Sequence, residues 1–180
     1  MRKVTLKELE QMAVEAREAI TLKAQSVGRG TKVYLHWSAG KYNSFFEDYH
    51  VNIDHDGCVY VSVADLAQTL SHTWRRNTGA IGVSMACCYG ATTENWGDYP
   101  PTGEQVEALA QVIAVLGRAL GLNITAGNFM THAEAADLDE YGPNTTCERW
   151  DLWLLPGVEK GDGGNLVRGK AQWYLENGIY

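Results

Sequence analysis

Basic residues are scarce in this sequence: 15 lysines and arginines face 22 aspartates and glutamates, which leaves a formal net charge of -7. Nucleic acids and anionic membranes attract surplus positive charge, so this balance argues against both classes of partner. Long apolar runs are also missing, since no stretch of about 20 apolar residues is present to span a bilayer. The charged N-terminus MRKVTLKELEQMAVEAREAI lacks the apolar core of a signal peptide, so we expect synthesis as a cytoplasmic chain.

Cysteine is rare as well. The four cysteines, Cys58, Cys87, Cys88 and Cys147, form no CxxC pair, and the adjacent Cys87 and Cys88 are poorly placed for ordinary disulfides. This usage indicates a reducing compartment, at least during synthesis. Cys87 and Cys88 are expected to be small buried apolar residues.

The overall composition is that of an ordinary globular protein, with 45% hydrophobic and 21% charged residues in a chain of 180. This length suits one domain with a sizeable core. We expect an N-terminal helix in residues 1–30, a core in residues 31–155 and a C-terminal tail with a helix in residues 156–180. Strands interleaved with helices predict an α/β fold (α+β mixed), in which helices flank a central mixed β-sheet.

Four helices are predicted from apolar periodicity and capping residues. In TLKELEQMAVEAREAITLKAQ, Thr5 and Glu8 make a capping-box pattern before apolar residues at helical spacing. TGEQVEALAQVIAVLGRALG repeats this arrangement with Thr102 and Gln105. SVADLAQTL is expected to form a short helix, and GGNLVRGKAQWYLENG is expected to form the last one.

Apolar and β-branched runs predict the strands. KVYLHW (32–37) and AIGVSMACC (80–88) both have strand character, and the second is expected to be buried. EDYHVNI and CVYVSV flank a hairpin turn at Asp56-Gly57. ITAGNFMTH is expected to contain a short strand that leads to His132.

Two histidines lie at the ends of predicted strands, where loops commonly carry functional sites: His36 in YLHWSAG and His132 in FMTHAEAA. Asp151 lies between two tryptophans in RWDLW, an apolar setting that charged residues rarely enter unless they are paired or bind a metal. Two imidazoles and one carboxylate, with a fourth position left to water, make a catalytic zinc site. The alternatives are structural histidines and an ion pair of Asp151 with Arg149 or Arg75.

Six segments resemble, in the same order, the motifs of one family. They are YLHWSAG, DYHVNIDHDGCVY, SHTWRRNTGAIGVSMAC, PPTGEQVEALAQVIAVL, THAEAA and RWDLW. Together they cover roughly residues 32 to 155 and resemble the zinc-dependent N-acetylmuramoyl-L-alanine amidases of the amidase-2 type, which include phage lysozymes with amidase activity. Peptidoglycan recognition proteins share this fold, so the resemblance implies an amidase-2-like domain.

The resemblance implies a set of metal ligands. It assigns Zn2+ to His36, His132 and Asp151. The family has a basic residue two positions before its third ligand, and Arg149 stands at that offset from Asp151. If these residues form a strand, Arg149 and Asp151 share a face and point into one site. Cys147 is the alternative third ligand, since thiolates also bind zinc.

The resemblance also implies catalytic and substrate-binding residues. Tyr49 is the candidate for acid-base assistance, because Ser84 stands where some members carry a catalytic Glu; Glu134 is the reserve candidate. Arg149 can supply positive charge and hydrogen bonds but cannot give up a proton near neutral pH. The alternative for Tyr49 is a half-buried strand aromatic, and the alternative for the loop around Trp74 is simple solvation. The predicted substrate-binding residues are His72, Trp74, Arg75 and Asn77.

The activity implied by the resemblance is zinc-dependent hydrolysis of the amide bond between N-acetylmuramic acid and L-alanine in peptidoglycan. The alternatives are a non-catalytic peptidoglycan-binding module and another zinc amidohydrolase that acts on acyl-amino-acid amides. The expected partners are peptidoglycan and muropeptides, with no nucleic acid and no membrane, and the expected state is a monomer. A chain made in the cytoplasm fits a phage or prophage endolysin released through a holin, or an enzyme that recycles muropeptides.

Overall fold

Six strands and four helices follow one another in the computed structural model, which describes residues 1–180. The strands are β1 (Arg2–Val4), β2 (Lys32–Trp37), β3 (Val51–Ile53), β4 (Val59–Val61), β5 (Ala80–Met85) and β6 (Phe129–Thr131). The helices are α1 (Leu6–Ser26), α2 (Gly103–Leu120), α3 (His132–Leu138) and α4 (Gly163–Asn177).

All six strands form one mixed sheet in the order β1-β4-β3-β5-β2-β6. The β3–β5, β5–β2 and β2–β6 pairs are parallel, whereas β4 runs antiparallel to both β3 and β1. The expected α/β fold with a central mixed sheet is therefore confirmed. Parallel strands end at the same edge of a sheet, which is where open α/β folds bind ligands. The carboxyl ends of β2 and β6 are thus a natural place for a site.

The two faces of the sheet have different coverings. Helix α2 packs against α1, α4, β3 and β5, so it lies at the centre of the main hydrophobic core. Val33, Leu35 and Trp37 of β2 belong to this core, because alternate residues of a strand point the same way. Tyr34 packs instead in a small separate cluster with Ala135 of α3. The even-numbered residues of β2 therefore face away from α2, and His36 is one of them.

Local sequence sets the helix ends. Thr5 with Glu8 and Thr102 with Gln105 form capping boxes at the starts of α1 and α2, as predicted. Gly121 ends α2 in a left-handed conformation (φ 68°) that glycine adopts without strain. Both long helices could be placed from the sequence because their start and stop signals are contained within a few residues.

Three local predictions were wrong. Residues 62–70 form turns rather than a helix, because the side chain of Asp65 accepts a hydrogen bond from the backbone N–H of Ala67 at 2.8 Å and favours a turn. Tyr49 lies in a bend before β3 rather than in the strand itself. Residues 151–153 form a turn, so, contrary to the prediction, Arg149 and Asp151 do not share the face of a strand.

The four cysteines are free, and Cys87 and Cys88 are buried, as predicted for these two, with their sulfur atoms 3.5 Å apart. None of the helices combines the length and the apolar character that crossing a membrane would require.

Candidate metal centre

Two histidines meet where two neighbouring parallel strands end. His36 lies near the end of β2, on the sheet face opposite α2, and is fully buried. His132 directly follows β6 and is the first residue of α3. Leu35 of β2 pairs with Thr131 of β6 in parallel register, so the residues that follow them emerge side by side. The two imidazole rings lie 4.7 Å apart between their centroids.

Asp151 reaches the histidines from a turn. Leu152 adopts a left-handed conformation (φ 64°), which bends the chain directly after the acid. The carbonyl oxygen of Asp151 accepts a hydrogen bond from the backbone N–H of Ala133 at 3.4 Å, so the turn is tied to the start of α3. An acid can lie between two tryptophans here because its carboxylate has buried polar partners.

Three potential ligand atoms converge. Nδ1 of His36 and Nδ1 of His132 are 3.2 Å apart, and Oδ2 of Asp151 lies 3.2 Å from each of them. Four ligands placed tetrahedrally at about 2.0–2.1 Å from zinc stand about 3.3 Å from one another, so the three atoms fit three corners of such a site. This cluster could therefore hold a metal ion, and Cys147 is not part of it.

The protonation states of the cluster suit a metal ion. Burial lowers the pKa of His36 to about 4, so this imidazole is neutral at neutral pH. Burial opposes ionisation of Asp151, but the charges and hydrogen bonds of His132 and His36 outweigh it and hold the pKa of this carboxyl well below its usual range. Metal ions bind neutral imidazoles and ionised carboxylates, so His36 and Asp151 are already in the form that binds.

Hydroxyl groups contact the outer nitrogens of both imidazoles. Thr73 Oγ1 lies 3.3 Å from Nε2 of His36 and 3.0 Å from Nδ1 of His72, so one hydroxyl bridges two buried histidines. The Tyr141 hydroxyl lies 3.3 Å from Nε2 of His132. Sequence reasoning missed Thr73 and Tyr141, because the hydroxyl partner of a ligand has no motif of its own.

An open cavity of about 800 Å³ with a largely polar lining lies beside His132. The four predicted substrate-binding residues all line it: His72, Trp74, Arg75 and Asn77. Tyr141 and Arg149 line the same cavity. Cationic, hydroxyl and aromatic groups therefore surround the space next to the candidate metal centre. Three acids, Asp139, Glu140 and Glu148, line the cavity as well, so its lining carries charges of both signs and is suited to a polar ligand.

The four predicted residues differ in their contacts. Trp74 is 54% exposed, and the guanidinium of Arg75 stacks on its ring at 4.1 Å. Asn77 Oδ1 accepts hydrogen bonds from the backbone N–H groups of His72 and Thr73 at 3.1 and 2.8 Å, so it shapes the loop. His72 is buried, and this burial lowers its pKa well below the usual value. Trp74 and Arg75 are thus the two that present most of their surface to a ligand.

The predicted catalytic residues Tyr49 and Arg149 occupy different settings. Tyr49 is half-buried, and its ring centroid lies 5.0 Å from that of His36. Burial raises the pKa of this phenol further above neutral. Arg149 is exposed at the cavity, and its guanidinium donates a hydrogen bond to the carbonyl oxygen of Glu148 at 2.8 Å. Both side chains therefore lie near the cluster without being part of it.

Glu134, the reserve acid-base candidate, is engaged elsewhere. Its carboxylate accepts hydrogen bonds from the backbone N–H of Thr131 at 2.8 Å and from the Arg168 guanidinium at 2.7 and 2.9 Å. The Thr131 hydroxyl accepts a hydrogen bond from the Glu134 N–H at 3.1 Å, which completes a capping box at the start of α3. With both carboxylate oxygens bonded, this geometry favours a structural role over proton transfer.

Comparison with known proteins identifies one family. A family model described as N-acetylmuramoyl-L-alanine amidase matches residues 16–150, which is more than half of the chain. A search of curated proteins finds no match. His36 and His132 lie within the matched residues, whereas the match ends one residue before Asp151. Asp151 is therefore assigned to the cluster by its distances to the two histidines and not by the family match.

Proposed function

This chain belongs to the N-acetylmuramoyl-L-alanine amidase family, and we propose that it uses zinc, held by His36, His132 and Asp151, to hydrolyse the amide bond between N-acetylmuramic acid and L-alanine in peptidoglycan. The observation that supports this most is the convergence of three ligand atoms, each 3.2 Å from the others, beside a polar cavity. Three protein ligands with a fourth position left open are typical of catalytic zinc, whereas structural zinc sites are closed.

The donor set favours zinc among the common ions. Magnesium and calcium prefer oxygen ligands, whereas two imidazoles and one carboxylate suit zinc. When bound there, zinc would polarise the scissile carbonyl and lower the pKa of a water molecule towards about 7. The single negative charge of Asp151 would leave the centre with a net positive charge. This charge favours the build-up of negative charge on the carbonyl oxygen of the substrate.

The hydroxyl groups around the cluster would keep each proton on the correct nitrogen. An imidazole that binds a metal through Nδ1 carries its proton on Nε2, and the partner of that nitrogen orients the ring. His36 would donate its Nε2 proton to Thr73, and the Thr73 hydroxyl would then donate to Nδ1 of His72. His132 would donate its Nε2 proton to the Tyr141 hydroxyl. Both rings are thereby held in the tautomer that ligation needs.

Tyr49 and Arg149 are the groups proposed to act on the substrate. A tyrosine hydroxyl is protonated at neutral pH, so Tyr49 can donate a hydrogen bond to the developing oxyanion. It can also pass a proton to the departing amine if it regains one from solvent, because burial disfavours a lasting phenolate. Arg149 carries a permanent positive charge at the cavity, where it can pair with the oxyanion or with a carboxylate of the stem peptide. Trp74 and Arg75 offer a stacked surface for the rest of the ligand.

The test is to digest purified peptidoglycan and identify the products by mass spectrometry. We expect release of free stem peptides from zinc-loaded protein, and no release after chelation or from His132→Ala. His55→Ala is the matched control: His55 is a partly exposed histidine in the turn between β3 and β4, and its loss should leave activity unchanged. Retained cleavage in metal-free protein would rule out the zinc mechanism.

The same assay separates the competing functions. Binding of muropeptides by zinc-loaded protein without any cleavage would identify a peptidoglycan-binding module. Cleavage of small acyl-amino-acid amides but not of muropeptides would identify a different amidohydrolase. Digestion of intact sacculi compared with soluble muropeptides distinguishes an endolysin of phage or prophage type from a recycling enzyme, because only the endolysin must act on cross-linked wall.

A further inference from the structure

Helix α4 lies outside the residues that match the family, yet its Arg168 side chain is buried against the segment that carries His132. Arg168 is only 7% exposed. Its guanidinium donates to the carboxylate of Glu134 at 2.7 and 2.9 Å, to the carbonyl oxygen of Phe129 at 2.9 Å and to Oδ1 of Asn165 at 2.9 Å. A buried charge is tolerated only with such partners, so this contact strongly constrains the elements it joins.

The partners of Arg168 lie on both sides of His132 in the chain. Phe129 opens β6, three residues before the histidine, and Glu134 lies in the first turn of α3, two residues after it. Glu134 also accepts a hydrogen bond from the backbone N–H of Thr131. The hydrogen bonds from Arg168 therefore reach, through Glu134, the residue that directly precedes His132. The junction between β6 and α3 is thereby clamped to α4.

The start of α4 also contacts the segment that carries the acid ligand. A Cβ atom at Gly163 would lie 1.8 Å from the carbonyl oxygen of Leu152, so only glycine fits beside the turn that follows Asp151. A Cβ atom at Gly164 would lie 2.7 Å from Oε1 of Glu134. These two adjacent glycines place α4 in close contact with both ligand-bearing segments at once.

From this geometry we infer that Arg168 is a positioning residue of the metal centre, which holds the β6–α3 junction at the distance from the Asp151 turn that ligation requires. The inference rests on the proposed zinc function. Arg168 makes no hydrogen bond to a ligand and does not line the cavity, so it acts only through the segments that it joins. The hydrogen bond from the Ala133 N–H to the Asp151 carbonyl oxygen spans the two segments and reports on their spacing.

The experiment compares Arg168→Met with Lys170→Met. Lys170 is a matched control because it lies on the same helix and pairs with Glu107 of α2, away from both ligand segments. Each substitution removes one positive charge and one ion pair from α4. Zinc affinity is measured by competition with a chromophoric chelator, and hydrogen exchange of the Ala133 amide is measured by NMR in metal-free protein. Glu134→Gln removes the opposite charge of the buried pair and repeats both measurements if Arg168→Met does not fold.

Removing a direct outer partner of a ligand weakens metal binding about 10–100-fold. Arg168 acts one step further away, so we expect Arg168→Met to weaken zinc binding by about 10-fold, the lower end of that range, and to lose protection of the Ala133 amide. Lys170→Met should change neither quantity, and Arg168→Lys should recover part of the affinity. Equal affinity and equal protection in the two methionine variants would overturn the inference. If the parent protein binds no zinc, the proposed function fails, and the Ala133 amide alone then decides whether Arg168 sets the spacing.

Discussion

Replacing Thr73 with valine removes the hydroxyl that joins His36 to His72. Its oxygen lies 3.3 Å from Nε2 of His36 and 3.0 Å from Nδ1 of His72, and Thr73 is 1% exposed. Valine has nearly the same shape as threonine, so the packing around this position should be retained. Two buried ring nitrogens would nevertheless lose their partner, in a place with little room for water to replace it.

The expected magnitude follows from those two nitrogens. Each buried polar group left without a partner destabilises the fold by about 1–3 kcal/mol, so the free energy of unfolding should fall by about 2–6 kcal/mol. For a chain of this length each kcal/mol lowers Tm by about 2–4 °C, so Tm should fall by at least about 4 °C. Zinc affinity should also fall by about 10–100-fold, because the ring of His36 is no longer held in the required tautomer.

Thr73→Ser, which keeps the hydroxyl, is the matched control for this prediction. Urea unfolding of both variants in the metal-free state measures stability, and chelator competition measures zinc affinity. The serine variant should stay close to the parent protein in both measurements. If Thr73→Val proves as stable and binds zinc as tightly as Thr73→Ser, the bridging role of the hydroxyl is refuted.

Three further predictions concern the surroundings of the site. A Cβ atom at Gly82 would lie 2.6 Å from Cγ of His72, so Gly82→Ala should displace that ring. The free energy of unfolding, measured by urea titration, should fall by about 1–3 kcal/mol. Unchanged stability would contradict this close packing. Burial lowers the pKa of His50 to about 4, below the roughly 6.5 of an unfolded histidine, so unfolding takes up a proton at low pH. The stability that neutral His50 contributes is fully present above about pH 6.5 and is lost towards pH 4, by up to about 3 kcal/mol. Urea unfolding at about pH 6.5 and at about pH 4 should therefore show a smaller fall in the free energy of unfolding for His50→Gln than for the parent protein. Arg76 binds Asp139 through two hydrogen bonds of 2.6 and 2.8 Å beside the cavity, so Asp139→Asn should loosen the cavity wall and raise KM for muropeptides several-fold, whereas a fall in kcat alone would place the effect elsewhere.

Much of the fold could be predicted because its signals are local. Thr5 and Thr102 begin α1 and α2 through capping boxes with residues three positions along the chain. Apolar β-branched runs likewise predicted β2 and β5. The helix expected in residues 62–70 failed for a reason equally local, because one aspartate side chain bonds to the backbone two residues away and competes with helix formation.

The candidate ligands could also be named from the sequence. A histidine near the end of an apolar strand, a second directly after another strand and an acid in an aromatic run are unusual enough to be noticed singly, and their order resembles one family. The turn around Asp151 was the exception, since its conformation depends on Leu152 at positive φ and on a backbone hydrogen bond from Ala133. Neither feature leaves a pattern in the residues themselves.

The sequence by itself therefore determined the helices α1, α2 and α4, the principal strands and the types of side chain available for a metal. Only the tertiary structure decided that the three candidate ligand atoms lie 3.2 Å apart, that Thr73 and Tyr141 contact the outer nitrogens of the two histidines, and that Arg168 binds Glu134. The physical reason is separation along the chain. His36 and Asp151 are 115 positions apart, and the energy that brings them together comes from packing the whole sheet and its helices rather than from any segment that contains them.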